Sequence, residues 1–130
     1  MVEINREEHT ILIPIKPKYV KQIFNGNKKY EYRKVKPKYK VNKMIIYSTS
    51  PVKKVVGEVE ILDVLVDEKE KIWDITKEYS GINKDKYFNY YKSKDYAVAF
   101  KLGNVKLYDK PKELKDIGIN YVPESYVYLN

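Results

Sequence analysis

The chain has 130 residues and a mass of 15.5 kDa, with 43% hydrophobic and 34% charged residues. This size predicts one domain, residues 1–130, around a single hydrophobic core, and no apolar run approaches the roughly 18 residues that a membrane span needs. The net charge of +8 favours a polyanionic partner. That argument is weakened because only two of the 26 basic residues are arginine, a bias typical of AT-rich genomes.

Residues 1–9 form a polar leader without the apolar segment of a signal peptide, so we expect a cytoplasmic protein. The one histidine, His9, lies in this leader, which argues against a Ser/His/Asp triad, a two-histidine ribonuclease centre and a histidine-rich metal site. With no cysteine, disulfides, thiolate nucleophiles and zinc-cysteine sites are excluded. We expect neither a metal nor a cofactor, and any catalysis must use carboxylate, lysine, hydroxyl or tyrosine groups.

The first elements are a strand and a short helix. Residues 10–15 predict a strand with its three isoleucines on one face, and Pro14 indicates an edge or an irregularity. Pro17 suits the first position of a helix that runs to about Asn25 and stops at Gly26. The helix carries an apolar stripe of Tyr19, Val20, Ile23 and Phe24.

The next strand, residues 28–33, organises the candidate site. Its period of two places Tyr30 and Tyr32 on one face and Lys29, Glu31 and Arg33 on the other. Opposite charges spaced in this way are more often a solvated ion pair. Arg33 is distinctive in a lysine-rich chain, however, because its planar fork binds in ways that lysine cannot.

Two further strands follow a basic loop, residues 34–43, which either crosses a ligand or is solvated. Residues 44–50 predict a buried strand that Pro51 closes, and residues 54–66 a long strand able to curl around a small barrel. Gly57 in this strand indicates a bulge or a close approach of another backbone.

The second half of the chain predicts helices and then strands. Asp67 and Glu70 have the spacing of a capping box for a helix that ends near Gly81, with an apolar stripe of Ile72, Ile75 and Tyr79. Asn83 caps a second helix, whose aromatic residues Tyr87, Phe88, Tyr90 and Tyr91 have core spacing.

The remaining segments are two strands, a helical turn stopped by Gly118 and an extended tail, at residues 95–102, 105–108, 111–117 and 121–129. Short strands with helices between them indicate an α+β fold around a mostly antiparallel barrel.

Few residues outside the strand at 28–33 are distinctive as site residues. Lys16 has the chemistry to contact a phosphate or a reacting carbonyl, but any one of many lysines is a weak candidate. The hydroxyls of residues 48–50 either donate into a pocket or mark an ordinary turn before Pro51. Among fourteen tyrosines, one or two are expected to stack on a ligand and the others to pack.

Taken in order, the motifs resemble the ASCH domain of the PUA-like superfamily. The resemblance rests on Ile15-Lys16-Pro17-x-Tyr19, Ile23-x-x-Gly26-x-Lys28-x-x-Glu31-Tyr32-Arg33, Tyr47-x-Thr49-Ser50-Pro51, Val55-Val56-Gly57, Trp73, Tyr79-Ser80-Gly81 and Pro123-x-Ser125. It implies a small, partly open, mostly antiparallel β-barrel with flanking helices and a basic cleft beside the first helix.

The resemblance also implies a ligand. ASCH clefts are proposed to bind RNA or a nucleotide-like molecule, in translation or transcription, so RNA or a modified nucleoside is the expected partner and DNA an alternative. The implied ligand-binding residues are Lys16, Tyr19, Arg33, Thr49, Ser50 and Ser125. A monomer is the default, and a protein-interaction domain is a third possibility.

Some relatives within the superfamily are acetylcytidine amidohydrolases or ribonucleases. The amidohydrolases use a lysine two residues after the turn glycine, which Lys28 matches, and a threonine nucleophile three residues further on, where this chain has Glu31. If the chain is an enzyme, Lys28 and Glu31 are the expected catalytic residues. Glu31 would act as a general base toward water, with Lys28 or Lys16 stabilising the oxyanion.

Overall fold

The computed structural model describes residues 8–129. Within them, six strands form one mixed sheet: β1 (His9–Ile15), β2 (Tyr30–Arg33), β3 (Val41–Ser48), β4 (Lys54–Glu68), β5 (Tyr96–Lys112) and β6 (Val127–Tyr128). Their order is β2-β5-β4-β3-β1-β6. β1 pairs with β3 in parallel and the other neighbours are antiparallel. The sheet is not closed, because β2 and β6 stand at its two ends, so the α+β prediction of a partly open, mostly antiparallel barrel is confirmed.

Three α-helices flank this sheet in the described part of the chain: α1 (Pro17–Phe24), α2 (Lys69–Thr76) and α3 (Lys84–Tyr90). Single 3₁₀ turns cover Lys77–Tyr79 and Leu114–Ile117. As predicted, α1 starts at Pro17 and the chain turns at Gly26, whose φ is +88°. Asn83 also caps α3, since its Oδ1 accepts a hydrogen bond from the Lys86 amide at 2.8 Å.

Several predictions about element boundaries were wrong, among them the loop predicted at 34–43, since β3 already begins at Val41. His9 begins β1 instead of ending a leader; its ring lies 4.8 Å from the Tyr39 ring and 5.8 Å from that of Tyr128. Residues 1–7 of the predicted leader lie outside the described residues. The two strands predicted at 95–102 and 105–108 form the single strand β5, because the equally long β4 pairs along it through register shifts.

The predicted capping box at Asp67 and Glu70 is also absent. β4 continues to Glu68, so Asp67 is a strand residue, and the helix starts later without a side-chain cap. This late start turns the buried face of α2 toward Ile72, Trp73 and Thr76, while Ile75 is 61% exposed.

Two buried clusters hold the sheet and helices together. The larger lies between α1 and the sheet, where alternate residues of β1 meet Val20 and Ile23 of α1. The smaller packs α2 and α3 on the β2 end of the sheet; its core residues are Tyr32, Ile72, Trp73, Tyr87, Tyr91, Ala97 and Ala99. The two clusters fix α1 and α3 on either side of β2, and the candidate site lies between them.

Gly57 has the close approach that its position in β4 predicted. A Cβ at this residue would lie 2.5 Å from the Lys106 carbonyl oxygen and 2.6 Å from Cζ of Phe24. The pairing of β4 with β5 shifts register next to it. Glycine at position 57 thus lets α1 and β5 approach β4 closely. None of the helices in residues 8–129 has the length and apolar character needed to cross a bilayer.

Candidate functional site

A cleft of about 620 Å³ lies between α1, β2, α3 and the segment 122–124. Lys16 and Tyr19 approach it from the start of α1, where Pro17 at the first helical position fixes the turn out of β1. Glu31, Tyr32 and Arg33 reach it from β2, and Tyr32 also belongs to the buried aromatic cluster under α2 and α3. The cleft therefore brings together residues from five separate parts of the chain, at 14–19, 28–33, 49, 82–90 and 122–124.

The floor of the cleft is a buried group of three charges. Glu31 Oε2 accepts a hydrogen bond from Arg33 Nη2 at 2.6 Å, and Glu31 Oε1 lies 3.8 Å from Lys28 Nζ. The side chains of Lys28, Glu31 and Arg33 are only 3%, 9% and 12% exposed. Two cations thus share one carboxylate where little water reaches them, so an anionic or strongly polar ligand group would complete the charge balance.

Lys28 is held in place by the turn that follows α2. Its Nζ donates a hydrogen bond to the Ser80 carbonyl oxygen at 2.6 Å and lies 4.9 Å from the centre of the Tyr32 ring. Gly81 makes this possible: its φ is +73°, and a Cβ there would come within 2.7 Å of Lys28 Cδ. Burial lowers the pKa of Lys28; Glu31 opposes that change, and Arg33 reinforces it.

Arg33 joins β2 to β1 and to the C-terminal segment. Besides binding Glu31, its Nη2 donates to the Pro14 carbonyl oxygen at 2.9 Å, and its Nη1 donates to the Ser125 carbonyl oxygen at 3.5 Å. Pro14 follows the two β1 residues that pair with β6, Ile11 and Leu12, along the strand. Arg33 Nε is buried and has no hydrogen-bond partner among the described residues. The guanidinium therefore orients the Glu31 carboxylate and retains a donor of its own.

The mouth of the cleft is exposed and more basic than the floor. Lys16 and Lys18 from the α1 end and Lys86 from α3 line it. The Tyr19 ring lies between the two levels, with Lys28 Nζ 5.4 Å and Lys18 Nζ 5.0 Å from its centre. On the opposite wall Tyr90 lines the cleft, with Lys34 Nζ 4.6 Å from its ring. Each of these two rings thus has at least one ammonium group beside it.

The predicted site residues do not all point into the cleft. Lys16, Tyr19, Lys28, Glu31, Arg33 and Thr49 line it. Ser50 is exposed and is not among the lining residues, while Ser125 is placed beside the site through its carbonyl oxygen, which accepts from Arg33. The structure thus brings six of the eight predicted residues around one space, and their roles there stay predictions.

Sequence reasoning missed the contribution of α3. Lys86, Asn89 and Tyr90 line the cleft, and their spacing of three and four residues places them on one face of the helix. That spacing was a usable signal, but the aromatic pattern of α3 indicated only packing. Lys18 was missed as well, between the two predicted residues Lys16 and Tyr19.

A second cavity of about 580 Å³ lies between the loop before β3 and the middle of β4. It contains none of the predicted site residues. Across residues 8–129 no three carboxylate or histidine side chains come together in a group that could hold a metal ion.

The family model described as "ASCH domain" matches residues 13–106. Among solved structures, the ASCH protein of Zymomonas mobilis superposes with a TM-score of 0.86 and 25% identity, over 95% of this chain and 90% of that one. The open barrel is therefore the PUA-like fold of ASCH proteins.

Two curated relatives come from Ureaplasma parvum serovar 3. The chain is 37% identical over 124 residues to a protein named ATP synthase subunit alpha, and 34% identical over 121 residues to one named large ribosomal subunit protein uL22. These matches cover 95% and 92% of this chain but span only 16% and 39% of the relatives. On the family model, which matches more than half of its length, the chain belongs to the ASCH domain family.

Proposed function

We propose that this ASCH domain binds RNA, or a nucleotide-like ligand, with one base in the cleft. The observation that carries the proposal is the pairing of a buried, mixed-charge floor with an exposed, basic mouth in one cleft of about 620 Å³. A polar base edge suits the floor, while a phosphate backbone suits the mouth. The volume falls within the range of small-molecule sites, about 300 to 1,000 Å³.

The floor offers directed hydrogen bonds of both kinds. Glu31 Oε1 accepts no hydrogen bond from the described residues and is the natural acceptor for a base N–H. Lys28 Nζ has one proton committed to the Ser80 carbonyl, which leaves others for a ring nitrogen or carbonyl oxygen. Bases of single-stranded RNA present adjacent donors and acceptors on their edges, so one unpaired base can bind both side chains.

Tyrosines at the opening support a single strand over a duplex. Tyr19 and Tyr90 line the cleft and are half-buried, so each presents part of its ring to the space between α1 and α3. Base–tyrosine stacking is worth about 1 to 3 kcal/mol per base and requires an unstacked base. We therefore expect single-stranded RNA to bind more tightly than duplex RNA.

The test is fluorescence-anisotropy binding of single-stranded RNA, duplex RNA and single-stranded DNA, across a salt series, to wild type and Glu31→Gln. Glu31→Gln should lower the affinity for single-stranded RNA at least tenfold at high salt, since it removes the negative charge and replaces one acceptor oxygen at the floor with an amide donor. Glu124→Gln is the matched control: Glu124 lines the same cleft but is exposed, so it should change affinity less than twofold. Equal affinities for wild type and Glu31→Gln, with binding lost steeply in salt, would reject the proposal.

A second candidate, a hydrolase acting on an acylated nucleoside or on RNA, is favoured by one observation. Lys28, whose pKa burial lowers, lies 3.8 Å from a carboxylate oxygen inside a cleft, and perturbed, paired groups of this kind are typical of active sites. For an acyl amide, Glu31 would take a proton from water as the water oxygen bonds to the acyl carbon. Lys28 would stabilise the oxyanion, and the proton would pass to the leaving amine as the C–N bond breaks.

Turnover of N4-acetylcytidine and of single-stranded RNA distinguishes this candidate from simple binding. An enzyme should release acetate or cleaved RNA at a rate that Glu31→Gln and Lys28→Met each reduce at least a hundredfold. Ligand binding without turnover would reject the hydrolase and leave the binding module.

A further inference from the structure

Two lysines from different helices line the mouth of the cleft. Lys18 projects from the first turn of α1 and Lys86 from the first turn of α3, and both line the cleft. Contact with Lys18 lowers the pKa of Lys86, while the Tyr19 side chain acts in the opposite direction. Two like charges that line one opening repel each other, and an anion between them would relieve that repulsion.

Nearby carboxylates do not neutralise these lysines. Among the described residues, no ion pair within 4.0 Å involves Lys16, Lys18 or Lys86. The carboxylates that line the cleft are Glu31, which is shared by Arg33 and Lys28 at the floor, and the exposed Glu124. The mouth therefore keeps a local excess of positive charge that its own residues do not offset.

The Tyr19 ring fixes where this excess lies relative to the floor. The Nζ of buried Lys28 lies 5.4 Å from the centre of this ring, and the Nζ of exposed Lys18 lies 5.0 Å from it. If one end of a ligand stacks on Tyr19 or binds Glu31, its other end would thus lie at Lys18 and Lys86, and that end should be negatively charged. A nucleotide has this layout, with a polar base at one end and a phosphate at the other.

We infer that Lys18 and Lys86 form a phosphate-binding subsite at the mouth of the cleft, and that they hold the phosphate of the nucleotide whose base reaches the floor. This inference deepens the proposed function and rests on it. It assigns phosphate contact to exposed lysines of α1 and α3, and it assigns buried Lys28 to the base or carbonyl end. The phosphate is that of a mononucleotide or that of a strand, and both present the same group to the two ammonium ions.

The chain offers a matched control for the test. Lys21 and Lys84 lie on the same two helices and are exposed, but they do not line the cleft. The Lys18→Gln/Lys86→Gln variant and the Lys21→Gln/Lys84→Gln variant therefore remove the same charge from the same helices. Since all four side chains are exposed, thermal unfolding should show both variants folded like wild type.

The first measurement is the affinity for cytidine, cytidine 5′-monophosphate, cytidine 3′-monophosphate and a single-stranded RNA octamer. Lys18→Gln/Lys86→Gln should weaken binding of the octamer at least tenfold and leave cytidine within twofold. The control variant should change both less than twofold. The salt dependence of octamer binding should also fall by about 0.7 in logarithmic slope, since each phosphate neutralised on a single strand contributes about 0.7 and the two lysines share one phosphate. If Lys18→Gln/Lys86→Gln loses affinity for a mononucleotide as well as for the octamer, the subsite binds a single phosphate. If the variant loses affinity for the octamer alone, the subsite binds the phosphate of a strand.

The second measurement uses inorganic phosphate and the amide chemical shifts of ¹⁵N-labelled protein. Phosphate should shift amides at Lys18, Tyr19 and Lys86 in wild type and in the control variant, but not in Lys18→Gln/Lys86→Gln. If wild type binds the octamer and both variants lose affinity equally, or neither does, the subsite is rejected while the proposed function stands. If phosphate shifts these amides but no nucleoside, nucleotide or RNA binds, Lys18 and Lys86 bind phosphate, but the proposed function and the nucleotide subsite are both rejected. If neither probe binds, both are rejected.

Discussion

Lys28 Nζ lies 3.8 Å from Glu31 Oε1, and both side chains are almost entirely buried. The contact has consequences for folding as well as for binding. Glu31 is the shared counter-charge of Lys28 and Arg33, so the three groups are not equivalent: removing the anion leaves two cations together, whereas removing Lys28 leaves an intact pair. A buried charge that loses its partner typically costs about 3 to 5 kcal/mol.

We therefore predict that Glu31→Gln lowers the free energy of unfolding by about 3 kcal/mol and that Lys28→Met lowers it by less. Lys28→Met removes a charge whose own desolvation is unfavourable and keeps the Glu31–Arg33 hydrogen bond. Urea unfolding followed by circular dichroism measures both. Asp74→Asn serves as the control, because the exposed pair of Asp74 and Lys77 should contribute less than about 0.5 kcal/mol. A larger loss for Lys28→Met than for Glu31→Gln would contradict the prediction.

A second prediction concerns the hydroxyl of Tyr91, a fully buried side chain next to the site. It donates to the Arg33 carbonyl oxygen at 2.7 Å and lies 3.3 Å from the Val98 amide, which donates to it. Tyr91→Phe should cost about 1 to 3 kcal/mol in urea unfolding, since it leaves these two backbone groups without this partner inside the protein. Tyr79→Phe removes a hydroxyl from a residue that is 41% exposed and should change stability by less than about 0.5 kcal/mol. Similar effects for the two variants would show that the Tyr91 hydroxyl does not hold β2 in place.

Sequence patterns predicted the parts of this fold that depend on local periodicity. α1 has a proline at its start, a glycine after its end and buried Val20 and Ile23 between them, so its position was readable. β5 was not, because Gly103 and Asn104 resemble a turn and only pairing with the long β4 keeps the strand continuous. The face of α2 was also mispredicted, since the residue at which β4 ends decides which side chains turn inward.

The candidate site also has parts that the sequence predicted and parts that it did not. The alternation in β2 placed Glu31 and Arg33 on one face, and both line the cleft. The wall supplied by α3 was not predicted: the sequence spacing places Lys86 and Tyr90 on one face of a helix, but the approach of that face to the cleft depends on packing between distant segments. Nor could the sequence show that Arg33 would bind the carbonyl oxygens of Pro14 and Ser125.

A third prediction is that the buried tyrosines make the free energy of unfolding fall at alkaline pH. Burial raises the pKa of Tyr32, Tyr87, Tyr90 and Tyr91 above the usual tyrosine range, and the pKa values of Tyr108 and Tyr126 rise to about 12. The unfolded chain releases these protons from about pH 10, while the folded protein still holds them. Stability should therefore fall as pH rises above 10 and toward the folded pKa values.

Lys28 has the opposite effect on the pH dependence of stability, at lower pH than the tyrosines. Its folded pKa lies below the usual value, so its protonation favours the unfolded chain, and its contribution to stability rises with pH up to about 10.5. Six tyrosines outweigh one lysine above pH 10. Tyrosinate absorbance near 295 nm should rise together with the loss of circular dichroism in one cooperative step. A gradual tyrosine titration without unfolding would contradict this.

The last prediction separates the shape of the Arg33 side chain from its charge. Arg33→Lys keeps the net charge, but one ammonium group cannot reproduce the guanidinium contacts to Glu31, Pro14 and Ser125. We expect a loss of about 1 to 3 kcal/mol in the free energy of unfolding. The salt-resistant part of single-stranded RNA binding should also be lost, because Glu31 is no longer held toward the ligand. The salt slope should stay unchanged, since it reports phosphate contacts.

Lys34→Arg, at the exposed neighbouring residue, introduces the same chemical change in reverse and should leave stability and binding as in wild type. If Arg33→Lys binds RNA at high salt with wild-type affinity and preference, the guanidinium fork has no part in recognition, and the floor of the cleft works through Lys28 and Glu31 alone.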